Sequence, residues 1–133
     1  MQTVLFELGL VLFLLGLLTG FAVPALKNPR MALSSHLEAI LNGIFLVLLG
    51  LLWPHVDLPR AWAVTAVGLI VCSGYANWVA ALLAAAWGAG RKLAPIAAGD
   101  HQASATKEGI VSVLLVSLSL SMVVGVGIVI AGL

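Results

Sequence analysis

Leu33-Ser-Ser-His36-Leu-Glu38-Ala-Ile-Leu-Asn42-Gly43-Ile-Phe-Leu-Val-Leu-Leu-Gly-Leu-Leu-Trp53 decides how this chain is read. The stretch has the ~20 mostly apolar residues that a helix needs to cross a bilayer. It also carries an imidazole, a carboxylate and a carboxamide where water cannot readily satisfy them. An ionisable group at membrane depth costs roughly 2.5–3.5 kcal/mol on translocon scales, so such groups usually mark a function. A second stretch, Gly74-Tyr75-Ala76-Asn77-Trp78, places a phenol and another carboxamide in a similar setting.

Composition supports a membrane reading. Of 133 residues, 62% are hydrophobic and 8% charged, and the mean hydropathy is +1.20. A soluble domain of this size needs far more polar surface. The net charge of +1 and the lack of a long basic cluster speak against nucleic acid as a partner. The single cysteine, Cys72, excludes an internal disulfide and reads as a small buried hydrophobe. No C-x-x-C-H motif offers covalent haem attachment. The first apolar run lacks a basic leader and continues to Leu26. It is therefore expected to be a retained transmembrane helix rather than a signal peptide.

Four apolar spans emerge, at about residues 4–26, 33–53, 61–87 and 109–133. They predict one all-α domain, an integral membrane four-helix bundle, with the prolines mainly in or beside the connections. Lys27, Arg30, Arg91, Lys92 and Lys107 fall in the first and third connections, and Arg60 alone in the second. The positive-inside rule then puts those two connections in the cytoplasm of an inner-membrane protein, with both termini outside. Trp53, Trp62 and Trp87 lie at span ends, where an aromatic belt belongs.

Helix geometry fixes depth. Asn42 lies roughly 14 Å in from the cytoplasmic end of the second span. Asn77, on the antiparallel third span, lies roughly 16 Å from the same face. The two carboxamides thus share a level, with His36 nearer the cytoplasm. Glu38 and Asn42 lie on one stripe. His36 stands about 120° around the helix from Asn42, so the two flank a broad, flat ligand more readily than they clamp a bare ion. Small residues mark close packing: Gly16 and Gly20 on the first span, and Ala76, Ala80, Ala84 and Gly88 on the third. Ser117 and Ser121 of the fourth are positioned to hydrogen-bond within or between helices. The ridges favour a homo-oligomer.

Each polar residue has a bland reading beside a sharp one. His36 is either an interfacial histidine bonded to water or a loop carbonyl, or a metal ligand. Zinc would want three or four ligands, and only His36, Glu38 and Cys72 are at hand. A five-coordinate haem needs a single protein ligand. His55 and His101, expected in loops on opposite sides, do not make a bis-histidine haem. Glu38 either pairs with Lys27 or Arg30, or supports the site. Asn42 and Asn77 are either interhelical glue or hydrogen-bond a polar substrate. Tyr75 and Trp78 are either packing residues or the wall of an aromatic pocket. Glu7 is either solvated or the carboxylate of a proton-coupled exporter.

His36-x5-Asn42-Gly43 on the second span, followed by Gly74-Tyr75-Ala76-Asn77 on the third, resembles the hydroxylaminobenzene mutase and styrene oxide isomerase family. The short loops resemble the mutase branch. The resemblance implies a four-helix membrane enzyme that is trimeric and holds haem b between subunits, with His36 as axial ligand. It implies Asn42 and Asn77 near the substrate oxygen, and puts Tyr75 where the isomerases have tryptophan. The isomerases carry a substrate-binding tyrosine four residues after that asparagine, and here the position is Ala81, which weakens the epoxide reading.

The expected activity is an intramolecular hydroxyl transfer converting a small aromatic substrate, an aryl hydroxylamine such as hydroxylaminobenzene, to 2-aminophenol, with haem iron as Lewis acid. Asn42, Asn77 and Tyr75 would be catalytic, and Trp78 and Glu38 would bind substrate. The alternatives are an epoxide isomerase, a proton-coupled exporter working through Glu7, and a haem-carrying anchor without catalysis.

Overall fold

The computed structural model describes all 133 residues. It contains four long helices: α1 (Gln2–Ala22), α2 (Pro29–Leu52), α3 (Arg60–Trp87) and α5 (Ala105–Ala131). A single turn, α4 (Pro95–Ala98), interrupts the long connection before α5. All four long helices have the length and hydropathy to cross a membrane. The architecture is the expected all-α bundle.

Proline and caps set the boundaries. Pro24 converts the end of α1 to a short 3-10 turn, Val23–Ala25. Asn28 then caps α2, its Oδ1 accepting from the backbone N–H groups of Arg30 and Met31, both at 3.1 Å. Pro29 follows at the first helical position, where its missing N–H costs nothing. The helix therefore starts four residues before the expected Leu33, because the Asn-Pro pair acts as a start signal stronger than the apolar pattern. α5 likewise starts at Ala105 rather than Gly109, since Ser104 supplies its cap. α3 ends at Gly88, whose φ of 70° closes the helix with an N–H bond to Ala84 O. That left-handed conformation suits glycine.

The helices pack in sequence. α2 lies between α1 and α3, and α5 packs on α3. Along α1 the buried residues are Leu5, Gly9, Leu12, Gly16 and Thr19, alternating by four and three in the manner of a coiled-coil seam. Their partners on α2 include Ala39, Gly43, Leu46 and Gly50. The backbones nearly touch: a Cβ built on Gly43 would stand 2.7 Å from Phe13 N and 2.8 Å from Gly9 O. Gly16 and Gly20 form the expected small-residue ridge, and both pack on α2: Gly16 against Ala39 and Ile40, Gly20 against the His36 ring.

Two apolar clusters form the core. The larger joins Leu5, Leu12, Ala39, Leu46, Ala66 and Ile70 with Val129. The smaller joins Met31, Ala32, Ala84, Ala85 and Val111 at the end bearing the long connection. On α2 and α3 the residues between these clusters include Ser35, Glu38 and Asn77. α5 is the least buried helix: Val113, Leu120 and Val123 are exposed, which in a bilayer means facing lipid or another copy. Cys72 is also exposed rather than buried. It lines a groove between α3 and α5 with Ser73, Ser117 and Ser121. The hydroxyls of Ser73 and Ser117 bond carbonyls of their own helices.

The Gly9–Gly43 contact yields a test. Gly43→Ala puts a methyl against backbone that cannot rotate away, and should destabilise the bundle by about 1–3 kcal/mol. Gly68→Ala meets nothing within 4 Å and should leave thermal unfolding in detergent unchanged or slightly improved.

Candidate functional site

The belt between the two clusters gathers the predicted residues, though not on one side. Asn77 Nδ2 on α3 donates to Glu38 Oε2 on α2 at 2.5 Å. Asn42 Nδ2 donates to the main-chain carbonyl of Glu38, one turn back on α2, at 2.8 Å. Asn42 also faces Gly74: a Cβ there would stand 3.4 Å from Asn42 Cβ. Asn42 is thus level with Gly74 and Asn77 with Glu38, so the two carboxamides lie about one helical turn apart in depth rather than at the single level expected, and Glu38 links them. Ser35 Oγ adds a bond to Trp78 O at 3.0 Å. Glu38 does not take Lys27 or Arg30 as its partner. Lys27 Nζ donates to Trp87 O and Arg30 Nη1 to Ile96 O, both drawn to carbonyls at the long connection.

Glu38 and Asn77 line a cavity of about 100 Å3 between α2, α3, α5 and the connection after α3. Ser34 and Gly90 reach it as well, and its α3 wall is Ala80, Ala81 and Ala84. Ala81 therefore lies beside Asn77 in the space a larger side chain would fill. Over this end runs the segment after α3, held by a residue that the sequence reading passed over. Glu108, buried in the first turn of α5, accepts from Gly90 N at 3.2 Å and Arg91 N at 3.4 Å. Gly90 adopts φ 100° to make the approach. An acidic residue in a first helical turn was the available signal.

His36 points the other way, to α1. Its Nδ1 lies 2.7 Å from Gly16 O. A carbonyl only accepts, so Nδ1 carries the proton and the lone pair of the neutral ring resides on Nε2. Nε2 has no protein partner and is not among the buried unpaired atoms, so it is reachable from outside the protomer. A carbonyl fixing one ring nitrogen while the other stays open is the usual arrangement of a metal-ligating histidine. No three His, Cys, Asp or Glu side chains gather to hold a bare ion. The donor set suits a group that brings its own in-plane ligands. His36 is not in the lining of the Glu38–Asn77 cavity. A single protein nitrogen with an open lone pair is the donor a haem iron would take.

Tyr75 and Trp78 also reach α1. Tyr75 OH donates to Leu8 O at 2.8 Å, and Trp78 Nε1 to Thr19 Oγ1 at 2.9 Å. Thr19 in turn donates to Leu15 O. Neither aromatic residue lines the Glu38–Asn77 cavity. Here they tie α3 to α1. Glu7 is exposed and makes no hydrogen bond within the chain.

The fold and site are those of a membrane four-helix bundle in which α2 carries a carboxylate linked to two carboxamides toward α3 and an imidazole toward α1. The family profile of styrene oxide isomerase matches residues 1–133, and the chain belongs to that family. Among curated relatives, it is 55% identical over 118 residues to hydroxylaminobenzene mutase HabA of Ectopseudomonas oleovorans, covering 89% of this chain and 87% of the relative. It is 55% identical over 120 residues to hydroxylaminobenzene mutase HabB of the same organism, covering 90% and 73%. No solved structure matches it significantly.

The tethers separate packing from chemistry. Tyr75→Phe and Trp78→Ala each remove one interhelical bond, and each should cost about 0.6 kcal/mol from that bond, with a larger loss for the missing indole. Thermal unfolding of the two variants in one detergent checks both magnitudes. Glu108→Ala, which strands two backbone donors, should cost about 1–3 kcal/mol in the same assay.

Proposed function

We propose that the chain is a membrane-embedded isomerase of the mutase type, moving the hydroxyl of an aryl hydroxylamine such as hydroxylaminobenzene from nitrogen to the ortho carbon to give 2-aminophenol. The observation that carries this is the linking of Asn42 and Asn77 through Glu38 on adjacent turns of the bundle, in a chain so similar along its length to two hydroxylaminobenzene mutases. The rearrangement is redox-neutral and needs no second substrate, which suits a small bundle whose cavity between α2, α3 and α5 is largely apolar, with Glu38, Asn77 and Ser34 in its wall.

His36 is the residue that would hold haem b, through Nε2. Bound there, the iron supplies Lewis acidity toward the N–OH oxygen. The chain supplies the rest. Asn77 and Asn42 orient the head group by hydrogen bonds, and Glu38 keeps both carboxamides turned. The surrounding alanines and the connection held by Glu108 keep bulk water from intercepting the migrating oxygen. Because His36 faces α1 while Glu38, Asn42 and Asn77 face α3, a site using all four draws them from two copies. A closed ring of copies, the trimer, meets that need with His36 of one copy facing the carboxamides of the next. By the positive-inside rule, the five basic residues in the connections after α1 and α3 favour a cytoplasmic side for those connections, and so termini on the outer side of an inner membrane.

An epoxide-isomerase reading draws on the family description. Ala81, beside Asn77 in the cavity wall, offers no hydroxyl for opening an epoxide.

Purified protein in detergent should convert hydroxylaminobenzene to 2-aminophenol with nothing else added. His36→Ala should lose the Soret absorption and at least about 100-fold in turnover. Haem-loaded protein that leaves the substrate unchanged overturns the proposal.

A further inference from the structure

The polar belt has a hydrogen-bonding sense that the identity of its residues does not reveal. A carboxylate and a main-chain carbonyl are acceptors. Glu38 presents one of each, and each takes an Nδ2: Asn77 at 2.5 Å and Asn42 at 2.8 Å. Both carboxamides are therefore turned with their nitrogens toward Glu38 and their Oδ1 atoms away from it. Neither Oδ1 accepts a bond from the protein, and neither is a buried orphan, so both remain accessible as acceptors. In the cavity itself the side-chain groups are the Glu38 carboxylate, the Asn77 carboxamide and the Ser34 hydroxyl. The only backbone donor identified beside it, Gly90 N, is already given to Glu108. The cavity thus leaves Glu38 Oε1 and Asn77 Oδ1 free as acceptors, the first a carboxylate oxygen, beside two remaining donors, the second Asn77 Nδ2–H and the Ser34 O–H.

Its size limits what it takes. At about 100 Å3 it is smaller than the void of about 150 Å3 that admits a benzene molecule. It has room for a polar head group, with an attached ring left outside. A head group bearing N–H and O–H donors would satisfy the acceptors it meets. An ether or epoxide oxygen, which carries no hydrogen, could accept from the Ser34 hydroxyl or the second Asn77 N–H but would leave the free Glu38 oxygen without a donor.

We propose that Glu38 is the specificity-determining residue of the site: it selects a donor-bearing head group, the N–H and O–H of an aryl hydroxylamine, against an acceptor-only one such as an epoxide. It does so directly, as an acceptor in the cavity wall, and through Asn77, whose carbonyl it turns toward the ligand. The inference rests on the aryl hydroxylamine reading for the identity of the substrate, but its physical content is a preference in binding. A site built to receive hydrogen bonds rejects the analogue that lacks them strongly.

The test measures binding apart from turnover. Hydroxylaminobenzene and styrene oxide are compared as ligands of the detergent-purified full chain by calorimetry over short times, beside Glu38→Gln and Glu38→Asp. The wild type should prefer hydroxylaminobenzene by at least about 10–100-fold. Glu38→Gln, whose amide can donate to Asn77 Oδ1 and release the Asn77 nitrogen, should shrink that preference by about tenfold or more, chiefly by tighter binding of styrene oxide. Glu38→Asp keeps the acceptor and should weaken both ligands while holding their ratio. A folded Glu38→Gln with the wild-type ratio overturns the proposal. Should Glu38→Gln not fold, the wild type decides: equal affinity for the two ligands, or affinity for neither, overturns it. Preference without turnover would sink the mutase activity and leave the selectivity standing.

Discussion

The backbone contact between α1 and α2 is the constraint from which the rest of the site follows. At Gly9 and Gly43 the two helices approach until no side-chain atom fits between them. In lipid, where no hydrophobic force drives helices together, such contact supplies the dispersion energy of association. It also brings the Gly16 carbonyl within 2.7 Å of His36 Nδ1 and leaves the imidazole lying against Gly20. A wider spacing would part that bond and release the ring. The reach of Tyr75 and Trp78 to α1 depends on the same closeness, because each stretches from α3 past the seam to bond a group on α1.

With α1 fixed, α2 becomes a two-sided element. One side packs on α1 and aims His36; the other packs on α3 and carries Glu38 and Asn42. A polar side chain left without a partner in a bilayer costs several kcal/mol. Here the partners lie within the belt, so the energetic need to satisfy each group also fixes its direction. Glu38 takes both asparagine nitrogens, and Asn77 holds Glu38 against α3. The two apolar clusters on either side leave these bonds little competition from water.

Much of this was legible in the residues. Four runs of apolar sequence pointed to the bundle, because a bilayer demands length and hydropathy that few other structures show. Helix rise alone brought Asn42 and Asn77 to within about one turn of each other in depth, and the offset between them comes from the register of α2 on α3, which sets Glu38 rather than Asn42 opposite Asn77. The 120° between His36 and Asn42 foretold that they face different neighbours. Boundaries were less legible where a cap overrode the apolar pattern, as at Asn28 and Ser104. The partner of Glu38 was hidden because sequence distance favours Lys27 and Arg30, whereas helix ends attract those cations to carbonyls. Cys72 was misplaced because every residue of a lipid-facing surface is apolar, so hydropathy no longer separates inside from outside. The tethers of Tyr75 and Trp78 needed the third dimension.

A reaction that rearranges one small molecule makes modest demands on a scaffold. No cleft for a second substrate is required, and the atoms that leave one position of the ligand rejoin it at another. What is required is a head-group pocket with a fixed hydrogen-bonding sense, dry surroundings and a means of polarising one bond. Under the proposed activity the first two would come from one short belt across α2 and α3, bounded at one end by a single carboxylate, Glu108, gripping two backbone amides. The third is left to an imidazole aimed out of the protomer. Such a division keeps the demands on four helices small. In the proposed ring each copy contributes half of two sites, and the bilayer supplies the dry wall that a soluble enzyme would have to make from its own chain.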